Sequence, residues 1–201
     1  MTDDAQPIRP AATIVIWRDT GRGPDVLMGQ RGAAAVFMPS KYVFPGGGVD
    51  PGDDAPAGFL DATCTRRLAL LCPAASPGPR ALIGAARREL AEETGLVLHD
   101  TARLRFVFRA ITPPGRSRRF DARFFLAPAG AVAGDPDDFA LASDELSHLH
   151  WIGLAEARRL DLPFITEVVI AEVAALLDGL DQPGVPFFDN SAATPAFRRL
   201  V

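Results

Sequence analysis

An α/β (α+β) fold, with one mixed β-sheet held between helices, is predicted by three observations on this 201-residue chain. The elements come in the order strands, helix, strands, helix. Residues Arg80 to Thr94 repeat their apolar positions with a helical period and stop at Gly95, and Leu104, Phe106, Phe108 and Ala110 alternate with Arg103, Arg105, Val107 and Arg109 in the period of a half-buried strand. A mixed sheet covered by helices is the architecture that buries such faces. With 48% hydrophobic and 23% charged residues, the composition is globular, and one domain over residues 1–201 is expected.

Ala12 to Trp17 is β-branched and apolar, and Asp25 to Gln30 is a second short strand that pairs with it through Gly21 to Pro24. Tyr42 to Phe44 is a third, leading into a turn at Pro45-Gly46-Gly47-Gly48. From Asp50 to Arg80 the composition shifts to Pro, Gly, Ala and Asp, with a short helix between Leu60 and Leu71 bounded by Pro73; about 54–79 reads as an inserted surface excursion. The helix Arg80 to Thr94 follows, and Gly95 supplies its left-handed cap. Beyond the Thr112 to Arg118 loop, Phe120 to Leu126 and His148 to Ile152 are strands, and Phe164 to Leu177 is an apolar helix after Pro163. The tail from about Gln182 contains proline and is expected to be irregular, packed through Phe187 and Phe188.

A formal net charge of -4 and a pI of about 5.4 leave no global basic field for nucleic acid or an anionic membrane, so neither is an expected partner and any phosphate binding is local. Met1 to Pro10 carries Asp3 and Asp4 without an apolar run, and no stretch approaches the roughly 20 apolar residues of a membrane span. A cytoplasmic location is the expectation. Cys64 and Cys72 are too few for a disulfide framework or a four-cysteine zinc site, which leaves ordinary thiols or one bridge between them.

The chemistry concentrates on the Arg80 to Thr94 helix. Ile83, Ala86, Leu90 and Thr94 form its core stripe, and Glu89, Glu92 and Glu93 stand beside it at i, i+3 and i+4, a spacing expected to bring their carboxylates together on one face. Like charges so placed repel, and a bound cation turns that cost into affinity. Hard oxygen ligands of this kind suit Mg²⁺ or Mn²⁺. The plainer account is a solvated acidic face with Arg88 paired to Glu92 at i+4.

Arg88-Glu89-Leu90-Ala91-Glu92-Glu93-Thr94-Gly95-Leu96 resembles the second half of the Nudix box, R-E-U-x-E-E-x-G-U with U aliphatic, at every specified position, and Phe44 to Asp53 resembles its glycine-rich first half. The chain departs from the box in holding Asp53 where a glutamate is usual, and in a stretch from Asp53 to Arg88 that is about 27 residues longer than the pattern. An interrupted box resembles the branch that includes peroxisomal-type coenzyme A diphosphatases and bacterial relatives. Leu27 to Arg31, Phe37 to Pro39, Tyr42 to Gly47 and Arg119 to Phe125 look like that branch.

The resemblance implies a Nudix-type α/β/α sandwich and a metal-dependent diphosphate hydrolase acting on a small nucleotide substrate. It implies Glu89 and Glu93 as principal metal ligands, Glu92 on the same cluster, a backbone carbonyl near Gly46 or Gly47 completing the shell, and Arg88 orienting a glutamate. Glu145, in the Asp144-Glu145 pair before Trp151, is the candidate general base, a solvated loop carboxylate being the alternative. Arg31 and Gly47 are candidate substrate contacts from the same likeness. Arg109, Arg116 and Arg119 bracket the Thr112 to Gly115 loop as a candidate phosphate clamp. His148 and His150 are read as structural, and Phe106, Phe108, Phe124 and Phe125 as core.

The expected substrate is coenzyme A or an acyl derivative, ahead of ADP-ribose, NADH and sugar nucleotides; a nucleoside triphosphate sanitiser and a noncatalytic nucleotide-binding regulator are the alternatives. A homodimer is compatible with the sequence.

Overall fold

A computed structural model describes residues 6–192 and 194–201. Asp3 and Asp4, on which the reading of the N-terminus rests, lie outside them.

The chain order is β1 (Ile8–Asp19), β2 (Pro24–Arg31), β3 (Tyr42–Val43), β4 (Gly46–Gly48), α1 (Ala62–Ala69), α2 (Pro79–Thr94), β5 (Val97–Leu98), β6 (Arg105–Ile111), β7 (Arg119–Pro128), a 3₁₀ turn (Ala129–Ala131), β8 (Val132–Ala133), β9 (Leu146–Gly153), α3 (Leu154–Ala157), α4 (Phe164–Leu177), β10 (Val185–Asp189) and β11 (Ala196–Leu200). The main sheet runs β11-β10-β6-β7-β1-β2-β3, with β9 added on β2 and β4 on β1; β5 and β8 form a separate pair. It is mixed, because β1 lies parallel to β7 and β10 parallel to β6 while the other pairs are antiparallel. The predicted α+β class is the one observed.

Side-chain alternation along β1 divides the core. Ala12, Ile14 and Ile16 point to α1 and α2, and Val15 points to α3 and α4. On α4, Thr166, Val169, Ile170, Val173 and Leu176 are the buried positions, the i, i+3, i+4, i+7 stripe of a helix lying on a sheet. Gly95 closes α2 at φ 77°, its N–H bonding the Ala91 carbonyl at 2.9 Å.

Four expectations are corrected. The glycine triplet is a strand, not a turn: Gly46, Gly47 and Gly48 pair with Thr13, Ala12 and Ala11. The inserted segment is not a surface excursion, since Ala55, Phe59, Cys64 and Leu68 are buried in one cluster with Leu82, Ile83 and Ala86 of α2; each such aromatic or leucine side chain contributes roughly 1.5–3 kcal/mol of apolar burial. The tail is a hairpin, β10 on β11, whose parallel contact with β6 was invisible to local pattern. The alternation on β6 breaks where its register on β7 shifts between Phe106 and Phe108, so Phe106 faces α2 and Phe108 faces α4. Both cysteines are free thiols. No helix among the described residues is long and apolar enough to cross a membrane.

Candidate active site

β1 carries two partners on one edge, β2 over Trp17–Asp19 and β4 over Ala11–Thr13, and α2 lies against β4. Glycine makes that approach feasible. A Cβ on Gly46 would lie 2.6 Å from the Ala12 carbonyl oxygen, and one on Gly47 would overlap the Glu89 carboxylate. The bare strand therefore forms a cradle into which α2 projects Glu89 and Glu93.

Glu93 is 1% exposed. Its Oε2 accepts the Gly46 N–H at 2.8 Å, while its Oε1 is buried with no hydrogen-bond partner among the described residues. Burial raises its pKa to about 8; the Gly46 N–H opposes the rise, Glu145 and Glu89 add to it, and Arg31 opposes it. Glu89 is also raised, by burial first, against the pull of Arg88 and with the push of Glu92 and Glu145.

Arg88 is the hub behind these carboxylates. Its Nε and Nη2 donate to Asp53 at 2.9 and 3.0 Å, Nη2 also reaches the Gly48 carbonyl at 2.9 Å, and Nη1 donates to Glu89 at 2.8 Å and Glu92 at 3.0 Å. Asp53 thus fixes the arginine and does not enter the cradle. Burial pushes the Asp53 carboxyl up, but the bonds from Arg88 and the Asp50 N–H outweigh it, leaving the group below its ordinary value. The sequence shows Asp53 only as a departure from the box and gives no sign of this anchoring, because a pair 35 residues apart leaves no local periodicity.

Glu92 does not converge with the other two. Its side chain is 57% exposed and paired with Arg88, because consecutive helical residues diverge by about 100° and Glu93 already faces the strand. Glu145 is exposed just before β9, where its Oε1 accepts from Arg31 Nη2 at 3.2 Å, and the loop before it is tied to α2 by a Ser143 N–H on the Glu92 carbonyl. Arg31 therefore meets a carboxylate, and Gly47 meets Glu89.

The phosphate-clamp expectation fails for two of its three arginines. Arg109, 1% exposed, is bidentate to Asp121 at 2.8 Å and also bonds the Leu70 and Leu71 carbonyls, while Arg119 is buried on the Thr112 and Asn190 carbonyls. The insertion covers Arg109, which a strand read as half solvated could not reveal. Arg116 is exposed on its loop. His150 Nδ1 contacts the His148 carbonyl and its ring packs edge-on against Tyr42, a structural role.

Two carboxylates against a glycine strand, one with a buried oxygen lacking a donor, fit a hard divalent cation. Among the described residues no three His, Cys, Asp or Glu side chains form a cage by themselves. A cation held here would draw its other ligands from backbone, water and substrate phosphate.

Residues 74–173 match the family described as NUDIX domain. Among solved structures, a NUDIX hydrolase from Alicyclobacillus acidocaldarius is 25% identical, with 88% of this chain and 98% of that one covered at a TM-score of 0.64. An Ap4A hydrolase from C. elegans, solved as a binary complex, is 21% identical over 86% of this chain and 100% of its own, with a TM-score of 0.53. The NUDIX domain of Shewanella oneidensis NrtR, complexed with ADP ribose, is 15% identical over 86% and 90%, with a TM-score of 0.54. No curated protein matches the sequence.

Proposed function

The chain belongs to the Nudix hydrolases, and from that premise we propose that it cleaves the diphosphate linkage of a nucleotide derivative with Mg²⁺ or Mn²⁺, with coenzyme A or an acyl-coenzyme A as the first candidate substrate. The observation that carries the proposal is the buried Glu93 carboxylate, bonded once to Gly46 and set beside Glu89 where α2 meets the glycine strand, with one oxygen unpaired among the described residues.

In this reading Glu89 and Glu93 hold the cation, with Glu92 at the outer rim and the backbone near Gly46 and Gly47 completing the site. A divalent cation supplies two effects when bound, acidifying water and neutralising charge on phosphate oxygens. Glu145 takes the proton of the attacking water. Arg88, fixed by Asp53, orients Glu89. Attack at one phosphorus breaks the bridging P–O bond and gives two phosphate-bearing products, with no covalent enzyme intermediate. Arg116 remains a candidate contact for outer phosphates.

The interrupted box and the Leu27 to Arg31 and Arg119 to Phe125 segments support the coenzyme A ordering. ADP-ribose stands second because the Shewanella oneidensis NrtR domain was solved with it. Incubation of the purified chain with Mg²⁺ and with Mn²⁺ against coenzyme A and acyl derivatives, ADP-ribose, NADH, sugar nucleotides and nucleoside triphosphates, read by mass spectrometry, tests this. Release of 4'-phosphopantetheine and adenosine 3',5'-bisphosphate is the expected result. AMP from ADP-ribose or NADH would replace the substrate within the same chemistry, and inorganic pyrophosphate would point to triphosphates. No cleavage with either metal would favour a noncatalytic regulator.

A further inference from the structure

Two irregular pieces of backbone converge on Arg31 and Glu145. Arg31 ends β2, and the following loop uses both its backbone groups: its N–H donates to the Lys41 carbonyl at 2.9 Å and its carbonyl accepts the Ser40 N–H at 3.1 Å. That loop holds Met38 at φ 52° and Ser40 at φ 60°, left-handed conformations that side chains other than glycine adopt only where the surroundings enforce them. Across the strand pair, the register of β2 on β9 shifts between Met28 and Gln30, His148 sits at φ 50°, and the Ser147 hydroxyl donates to the Gln30 carbonyl at 3.1 Å. A Cβ on Gly29 would lie 2.9 Å from the Leu146 Cβ, so bare backbone is what admits the bulged strand. The result sets Leu146 opposite Arg31, with Glu145 emerging one residue earlier.

Arg31 Nη2 then donates to Glu145 Oε1 at 3.2 Å, while Arg31 Nε is buried without a partner among the described residues. Both charges act on the Glu93 carboxylate. An arginine serving only as a phosphate clamp would have no need of strained backbone in the loop that follows it and on β9 to meet a carboxylate.

We propose that Arg31 is a positioning residue, whose guanidinium holds the Glu145 carboxylate at the mouth of the Glu89–Glu93 cradle, facing the water that attacks the diphosphate. This rests on Glu145 being the proton acceptor. Arg31 acts through Glu145 rather than on the substrate, so its loss lowers turnover more than substrate affinity, and its effect vanishes when Glu145 is already removed.

Wild type, Arg31→Met, Arg31→Lys, Glu145→Gln and the Arg31→Met/Glu145→Gln double variant are compared by steady-state kinetics on the substrate found above, and by hydrogen exchange of residues 140–146 without substrate. The expected result is that Arg31→Met lowers kcat about ten- to a hundredfold with KM within about threefold, that Arg31→Lys recovers most of it, and that the double variant is no slower than Glu145→Gln. Exchange in 140–146 rises in Arg31→Met and in Glu145→Gln alike. A raised KM with unchanged kcat, additive losses in the double variant, or unchanged exchange in Glu145→Gln would each overturn the proposal. Glu145 is exposed, so that variant is expected to fold even where Arg31→Met does not. Should the wild type cleave nothing, the hydrolase reading has failed on its own, and exchange decides whether Arg31 places Glu145.

Discussion

Two groups of charged side chains are buried between the sheet and the helices α1 and α2, and their balance is opposite. At Gly46–Gly47 two carboxylates, Glu89 and Glu93, meet; Arg88 bonds to Glu89 but not to Glu93, which keeps an oxygen without a donor among the described residues. At the far end of β6 and β7, two guanidiniums, Arg109 and Arg123, share one carboxylate, Asp121, at 2.8 and 3.0 Å. There the remaining N–H groups go to the Leu70, Leu71 and Asp121 carbonyls and to Cys72 Sγ, although Arg123 Nε has no acceptor among the described residues. The first arrangement pushes a carboxylate toward binding a proton or a cation. The second fastens the inserted segment to the sheet, since Leu70 and Leu71 follow α1. Burial of charge alone therefore does not mark a site: its sign, its partners and an open side decide whether it recruits a ligand or locks a fold.

Glu93→Gln should break the first group with the largest effect. It removes a ligand charge from the cradle, and cation-dependent turnover is expected to fall about a thousandfold, roughly 4 kcal/mol of transition-state stabilisation, with the circular dichroism spectrum unchanged. The reverse profile is expected at the second group. Asp121→Ala leaves two buried guanidiniums facing each other and should cost about 3 kcal/mol or more in urea unfolding; a variant that kept full stability while losing kcat would invert the comparison.

A pH series sharpens it further. Glu93 has a folded-state pKa of about 8, above its ordinary 4.5. Its contribution to the stability of metal-free protein is thus fully present below about pH 4.5 and is lost as pH rises toward 8, at roughly 1.4 kcal/mol per unit at most. Chemical denaturation in chelator should show the decline in wild type, and Glu93→Gln should flatten it. The smallest effect belongs to Asp53→Asn, which loosens Arg88 without touching the cradle. A loss of about tenfold in kcat with little change in KM is expected, and no change would remove Asp53 from the account.

The legibility of these features in the sequence follows their range. Helix α2, its Gly95 cap and the strands β1, β2 and β7 were readable because their signals lie within a few residues. The α4 stripe was equally local. What was not readable depends on partners far along the chain: the Gly46–Gly48 strand exists because β1 offers an edge, and β10 pairs with β6 across 78 residues. At the site, helical spacing placed Glu89 and Glu93 together but also recruited Glu92, which only the position of the glycine strand separates from them. Arg109 reads as a substrate contact because nothing local tells that the residues after α1 cover it. Asp53 was known as a departure from a pattern before its bond to Arg88 gave it a role.

On the proposed function the Glu89–Glu93 cradle is a divalent-cation site. Calorimetric titration of wild type and Glu93→Gln with Mn²⁺ at about pH 8, without substrate, tests it most directly. Saturable binding by wild type, weakened at least about tenfold in the variant, is the predicted result; equal affinities in the two proteins, or none in wild type, would contradict it.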